Sequence, residues 1–202
     1  CCCGLPAWSY GDMKAAENLV QKNLNLFSSN EFDLIVSDCS SCASFLKGYA
    51  ERFEAGGTLK AEILDMVEFL DRHSTPDVQS SENGRRVSVT YHDPCHAVRG
   101  QGISLENRKI LKALPGIEFR EMAESDWCCG GAGSYALSNY DLSMRVLDRK
   151  MDNVADTGAD ILVTSCPACM IQLSHGVRRK GLDMKVRHIS EMAGARTVMG
   201  EK

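Results

Sequence analysis

Ten cysteines among 202 residues are the side chains best able to do chemistry here, and most of them are repeated in pattern. Cys2-Cys3-Gly4 is followed after 35 residues by Cys39-Ser40-Ser41-Cys42, and Cys128-Cys129-Gly130 after 36 residues by Cys166-Pro167-Ala168-Cys169. The flanks repeat as well: Asp33-Leu34-Ile35-Val36-Ser37-Asp38-Cys39 matches Asp160-Ile161-Leu162-Val163-Thr164-Ser165-Cys166 nearly position for position. The second copy adds an upstream cysteine, Cys95, in His92-Asp93-Pro94-Cys95-His96. The offset between copies puts its counterpart about 30 residues ahead of Cys1, so the opening third of the first copy is expected to precede residue 1. Cys1 falls outside the pattern, either as a spare thiol or as a stand-in for the lost fifth cysteine.

Thiolate is the form of cysteine that binds metal, and a helix N-terminus favours it. Secreted disulfide scaffolds are short and loop-rich, which this chain is not, so its thiols point to metal or redox chemistry in a reducing, cytoplasmic compartment. The second copy converges five thiols: Cys95, Cys128, Cys129, Cys166 and Cys169. Zinc takes four ligands and a cubane iron–sulfur cluster also takes four. The fifth thiol therefore suggests a cluster of unusual shape, with Cys128 and Cys129 reaching different irons. The first copy shows four thiols, Cys2, Cys3, Cys39 and Cys42, which would satisfy zinc as well as iron–sulfur. Gly130-Gly131-Ala132-Gly133 supplies bare backbone for a bulky inorganic group.

Other side chains admit two readings. His92 and His96 flank Cys95 and could tune a metal centre or relay protons, or simply hold a turn. Arg99 could pair with an anionic substrate or with the charge of the centre. No catalytic residue is assigned beyond these three candidates. Asp93 ahead of Pro94 reads as turn chemistry, and His175 and His188 as surface or helix-end residues. Trp8 and Trp127 are expected to shield the centres from water, and Met13, Met122, Met144, Met151 and Met170 to pack.

These residues must be positioned by strands and helices. Residues 15–27 and 141–154 carry apolar side chains at helical spacing, Asp141 being placed to cap the second. A short apolar run follows each, as expected of a strand buried on both faces. Each CxxC then opens another helix, over 43–53 and 170–179, the latter ended by Gly181. Residues 87–91 read as one more strand, and 105–114 as its crossover helix. The pattern predicts an α/β fold of two pseudo-repeated halves, each a short, mainly parallel sheet flanked by helices. The expected division is residues 1–71 for the clipped first repeat, 72–86 for a linker, 87–194 for the complete second repeat and 195–202 for a tail.

The composition excludes several classes. With 23 Lys+Arg against 27 Asp+Glu the formal charge is −4, and no basic block marks a nucleic-acid partner. No apolar run approaches the roughly 18 residues that cross a bilayer. No G-x-G-x-x-G, P-loop, catalytic triad or paired carboxylate is present, so any redox chemistry falls to a metal centre. The competing reading is a zinc-stabilised interaction module with an acidic docking surface.

Three motifs resemble the cysteine-rich CCG domain found in the B subunit of heterodisulfide reductase and in the iron–sulfur subunits of glycolate and lactate oxidases. They are His92-Asp93-Pro94-Cys95-His96, the Trp127–Tyr135 run around Cys128-Cys129-Gly130, and Thr164-Ser165-Cys166-Pro167-Ala168-Cys169. The two copies together span almost the whole chain. The resemblance implies a noncubane [4Fe-4S] cluster for each intact motif, held by five cysteines, with zinc as an alternative in the first. It further implies an iron–sulfur subunit of an oxidoreductase complex with flavin-containing or ferredoxin-like partner subunits. Electrons would pass from 2-hydroxy-acid oxidation to an acceptor; in the heterodisulfide version, a disulfide would be reduced at the cluster. Contact with the inner face of a membrane would come only through partners. The chain has no C-x2-C-x2-C-x3-C-P run of the ferredoxin-like module found in the glycolate oxidase type.

Overall fold

The computed structural model describes residues 2–28, 32–53, 59–73, 86–133 and 135–193; Cys1, most of the expected 72–86 linker and the 195–202 tail lie outside them. The first half runs α1 (Leu5–Ser9), α2 (Met13–Ser28), β1 (Leu34–Ser37), α3 (Ser40–Lys47), α4 (Tyr49–Arg52), β2 (Glu62–Asp65) and α5 (Met66–His73). The second runs β3 (Val87–Tyr91), α6 (Cys95–Gln101), α7 (Glu106–Ala113), β4 (Ile117–Phe119), α8 (Tyr135–Ser138) and α9 (Tyr140–Asp156). It closes with β5 (Ile161–Thr164), α10 (Pro167–Lys180), β6 (Lys185–His188) and α11 (Ile189–Met192). All strand pairs are parallel: β1–β2 in the first half, and β4–β3–β5–β6 in the second.

The expected α/β fold of two related halves is what the chain adopts. Helix α2 covers 15–27, and β1, β3 and β5 lie where the apolar runs placed them. Strands β3 and β5, with a neighbour on either side, are buried almost throughout, as continuous Val/Ile/Leu runs should be in a parallel sheet. The helix expected over 43–53 starts earlier, at Ser40, and breaks at Gly48. Asp141 does not cap α9: the N-cap is Asn139, with Asp141 inside the first turn, where its charge still suits the helix dipole. An unforeseen helix, α6, starts at Cys95 itself, so His92–His96 is a strand end running into a helix start.

The repeat extends further than the cysteines. Asp65 pairs in register with Ser37 on β1, and His188 with Thr164 on β5. Each ends its strand and caps the next helix through its side chain, Val67 N–H donating to Asp65 Oδ1 at 2.9 Å and Ser190 N–H to His188 Nδ1 at 3.3 Å. Glu68 and Glu191 reach back to accept from the backbone N–H of Asp65 and His188, at 2.9 and 2.8 Å. Both are reciprocal caps that satisfy otherwise orphaned donors.

Three apolar clusters hold these elements. Val20, Leu24 and Phe45 anchor the first half, and Leu147, Met151, Leu162 and Leu173 pack α9 and α10 on β5. The third, with Val67, Leu70, Val89, Tyr91 and Leu111, draws α5 onto the second half. Each such side chain contributes about 1.5–3 kcal/mol on burial. Met122, Met144 and Met151 are buried, whereas Met13 is exposed.

Candidate metal centre

In a parallel sheet the loops after the strands share one edge, where sites form. Cys39 follows β1, Cys95 follows β3 and Cys166 follows β5. Cys39 and Cys166 occupy the N-cap position of the helices they precede with matching extended backbones (φ −128°, ψ 109° and φ −134°, ψ 117°). Their thiols and those of Cys42 and Cys169 therefore lie by the positive end of a helix.

The two CCG turns are also built alike. Gly4 and Gly130 sit at φ 98° and 85°, a conformation open to glycine, and their N–H groups point back at Cys2 Sγ (3.5 Å) and Cys128 Sγ (3.3 Å). In each turn the first cysteine is exposed and the second buried. Tyr49 OH donates to Cys3 O and Asn23 to Cys2 O (2.9 Å) in the first half. Ser143 Oγ donates to Gly130 O (2.8 Å) and accepts from Gln172 (3.1 Å) in the second.

The halves meet along a polar seam. Ser40 N–H and Oγ reach Ser165 O at 3.1 Å each, the two hydroxyls lie 2.8 Å apart, and Tyr91 OH donates to Ser165 Oγ at 2.9 Å. Ser41 Oγ stands 3.0 Å from His96 Nδ1 and 3.5 Å from Cys166 Sγ.

Over that seam lies one cavity of about 460 Å³, lined by all nine described cysteines from both halves, by His92 and His96, and by Leu5, Pro6 and Tyr10 of the first. Eight of the thiols lie in a row, each interacting with the next: Cys2, Cys3, Cys42, Cys39, Cys166, Cys169, Cys129 and Cys128. Each shared proton favours thiolate on one sulfur at its neighbour's expense. Donation from Cys42 draws Cys3 down to about 6, while the bond to Cys166 pushes Cys39 up to about 11. Donation from Cys169 and then Cys39 lowers Cys166; donation from Cys128 and Cys169 lowers Cys129. Cys42, Cys128 and Cys169 are raised as the donors, and Cys95 chiefly by burial. A bound cation would neutralise the negative charges of these sulfurs together.

The donor set fits a thiophilic metal group. His92 Nδ1 and Nε2 are both buried without a hydrogen-bond partner, and the ring lies with Cys129 and Cys169 so that their donor atoms fall within 4.8 Å of one another. A Cβ on Gly131 would stand 3.5 Å from Cys129 Sγ, so the glycine leaves that sulfur uncrowded.

Of the three candidates beside the cysteines, His92 and His96 line the cavity, whereas Arg99 is exposed and does not. Trp8 packs edge-on against Phe53 in the apolar cluster that includes Cys3 but does not line the cavity, while Trp127 lines a surface groove with Cys128 and lies under the Arg149 guanidinium at 4.1 Å. His188 is a helix-end residue as expected.

Some site residues escaped sequence reasoning. Asp93 is buried and clamped by Arg108 through paired contacts of 3.0 and 2.8 Å and by Asn107 at 2.9 Å, tying the His92–Cys95 turn to α7. Lys150 is buried behind Cys129, its ammonium donating to the carbonyls of Glu124 and Ser125, and burial lowers its pKa. Its place on the apolar face of α9, between Leu147 and Val154, was the available signal.

Thiols gathered at the strand ends of two related α/β halves define a cysteine-rich centre. The chain belongs to the family of the cysteine-rich CCG domain, which matches over residues 1–47 and 89–174. It is 34% identical over 193 residues to a subunit of the fumarate reductase (CoM/CoB) of Methanothermobacter marburgensis, covering 95% of this chain and 37% of that one. It is 32% identical over 209 residues to a probable glycolate oxidase iron-sulfur subunit of Bacillus subtilis, covering 95% of this chain and 45% of that one. Lactate utilization protein A of Oceanobacillus iheyensis is 30% identical over 199 residues, covering 95% of this chain and 80% of its own. The chain thus spans less than half the length of the first two relatives.

Proposed function

We propose that this chain is the iron–sulfur part of an oxidoreductase complex, passing electrons between a partner flavin subunit that oxidises a 2-hydroxy acid and an acceptor. The observation that carries the proposal is the single cavity walled by nine cysteines. The relatives support it, being named as subunits of fumarate reductase and glycolate oxidase and as a lactate utilization protein. Cys95, Cys128, Cys129, Cys166 and Cys169 would hold one [4Fe-4S] group of noncubane type. Cys2, Cys3, Cys39 and Cys42 would hold a second or, in the alternative, zinc. Such clusters take up and release single electrons.

The chain's own residues bind, bury and connect. Buried Cys3, Cys129 and Cys166 keep water from the sulfurs, which tunes a cluster's potential. Exposed Cys128 lies beside exposed Trp127 and Leu142, with Leu137 and Tyr140 also exposed nearby in sequence, an apolar surface suited to a partner subunit. Among the described residues no helix is long and apolar enough to cross a membrane, and docking through partners would bring the chain to one.

One observation favours the heterodisulfide reading. The cavity runs unbroken from one half to the other, with Cys39 and Cys166 in contact where they meet. A small disulfide lying there would need two electrons from a partner and two protons to leave as two thiols, and His96 stands within reach of the seam.

Iron, acid-labile sulfide and zinc per chain, measured anaerobically with EPR spectra of the oxidised and reduced protein, test the proposal. About four irons for the second cysteine set, with signals unlike those of a cubane ferredoxin, are expected. Zinc without labile sulfide would overturn the proposal in favour of the structural module.

A further inference from the structure

His92 directly follows β3 and is almost fully enclosed, with 1% of its surface exposed. Burying a polar group without a partner is costly, and native folds rarely accept it without a reason. Here both ring nitrogens lack a partner, although the backbone around the ring is fixed: His92 N–H donates to Val163 O at 2.9 Å, and the next residue is clamped by Arg108. The turn is therefore well determined, and what the ring faces is the cavity with Cys129 and Cys169.

An imidazole that binds metal through one nitrogen nearly always has the other held by a carboxylate, a carbonyl or water. Neither nitrogen of His92 has a described oxygen or nitrogen within hydrogen-bond distance, and the side chain the ring interacts with is the Cys129 thiol, whose pKa it helps to lower. Two acidic groups are close in sequence or space, but Asp93 is committed to Arg108 and Asn107, and Asp126 is exposed. The ring is thus placed beside the sulfurs without the support of a metal ligand.

We propose that His92 donates a ring N–H hydrogen bond to sulfur of the second-half centre and raises its reduction potential without binding the metal. The inference rests on the iron–sulfur reading above. A hydrogen bond to thiolate or sulfide withdraws electron density and stabilises the more negative, reduced state. His92 is then a positioning residue for the electron.

The test is an anaerobic, EPR-monitored redox titration of the full chain, wild type against His92→Leu and His92→Gln, with iron and sulfide content measured for each. His92→Leu is expected to keep its iron and sulfide while its midpoint moves to more negative potential. His92→Gln, which retains an N–H donor, is expected to recover part of the shift. Pulsed EPR of wild-type protein grown with 15N-histidine should show a weakly coupled nitrogen that disappears in His92→Gln or His92→Leu, which decides the matter even if one variant does not fold. A midpoint unmoved in iron-replete His92→Leu overturns the proposal. So does a strongly coupled, directly bound nitrogen, or loss of the whole centre from both variants. Wild-type protein lacking iron and sulfide would overturn this inference together with the function it rests on, whereas an intact centre indifferent to His92 would overturn the inference alone.

Discussion

The two halves use the same local devices to present thiols and differ in what stands behind them. Each has a CCG turn pivoting on a glycine at positive φ, a CxxC at the start of a helix, and a reciprocally capped helix after its last strand. The second half sets these on four strands, and β3 delivers Cys95 and His92. Among the described residues the first has two, β1 and β2. A cysteine motif therefore needs only a turn and a helix start to be presented. In the second half, β3 adds Cys95 to those thiols.

Replacing the matching buried cysteines would separate the halves most sharply. Cys129→Ser is expected to remove about four irons per chain and abolish electron transfer, as read by metal analysis and dye reduction. Cys3→Ser should remove the first-half metal and leave the second-half EPR signal in place. Zinc released by Cys3→Ser would sharpen the difference between the halves. Loss of both centres from either variant would break it, because the two would then be one assembly.

The glycines give a smaller contrast. Alanine at a left-handed position costs about 1–2 kcal/mol from backbone strain alone. At Gly4 the new Cβ would find its nearest neighbour, Phe45, at 3.4 Å, but at Gly130 it would fall 2.5 Å from Ser143 O. Gly130→Ala should therefore lower the unfolding midpoint clearly more than Gly4→Ala. Equal losses in thermal melts would show that the second turn yields as readily as the first.

The smallest effect concerns the paired caps. Burial raises the Asp65 carboxyl above its usual value, despite bonds from Ser40, Val67 and Gln101 that lower it. A carboxyl raised in the fold stabilises below its unfolded pKa, and that stability is lost as pH rises from there to the folded value. In urea denaturation, the Asp65 contribution to wild-type stability should thus fall as pH rises above the carboxyl's unfolded value. In Asp65→Asn the slope should be flatter, whatever the variant's overall offset. A slope unchanged in the variant would assign it to other groups.

Much of this was legible in the sequence. The doubled cysteine spacing, the apolar runs before Cys39 and Cys166, and Val87–Tyr91 ending at His92 gave the halves, their strands and the nine site cysteines. Chemistry could be read there because these signals are local: thiol type, a glycine in the turn, an apolar run of strand length. Strands β2, β4 and β6 were missed, being three or four residues long, at sheet edges and mixed in polarity. Asp93 looked like a turn residue because its partner, Arg108, lies 15 positions on and meets it only once α7 is packed. Arg99, attractive beside the motif, is exposed and does not line the cavity, although its charge acts to lower the pKa of the Cys95 thiol.

The sequence by itself determined which atoms could bind metal and that they come in two related sets. It also determined the strand ends and helix starts that present them, because residue type and short-range backbone preference decide those features. Only the tertiary structure decided that the two sets face a single cavity. Ser40 had to meet Ser165, α5 had to pack on the second half, and Cys39 had to touch Cys166. These contacts join residues more than a hundred positions apart, or helices of different halves, and they form because parallel sheets put their functional loops on one edge and buried polar groups must find partners.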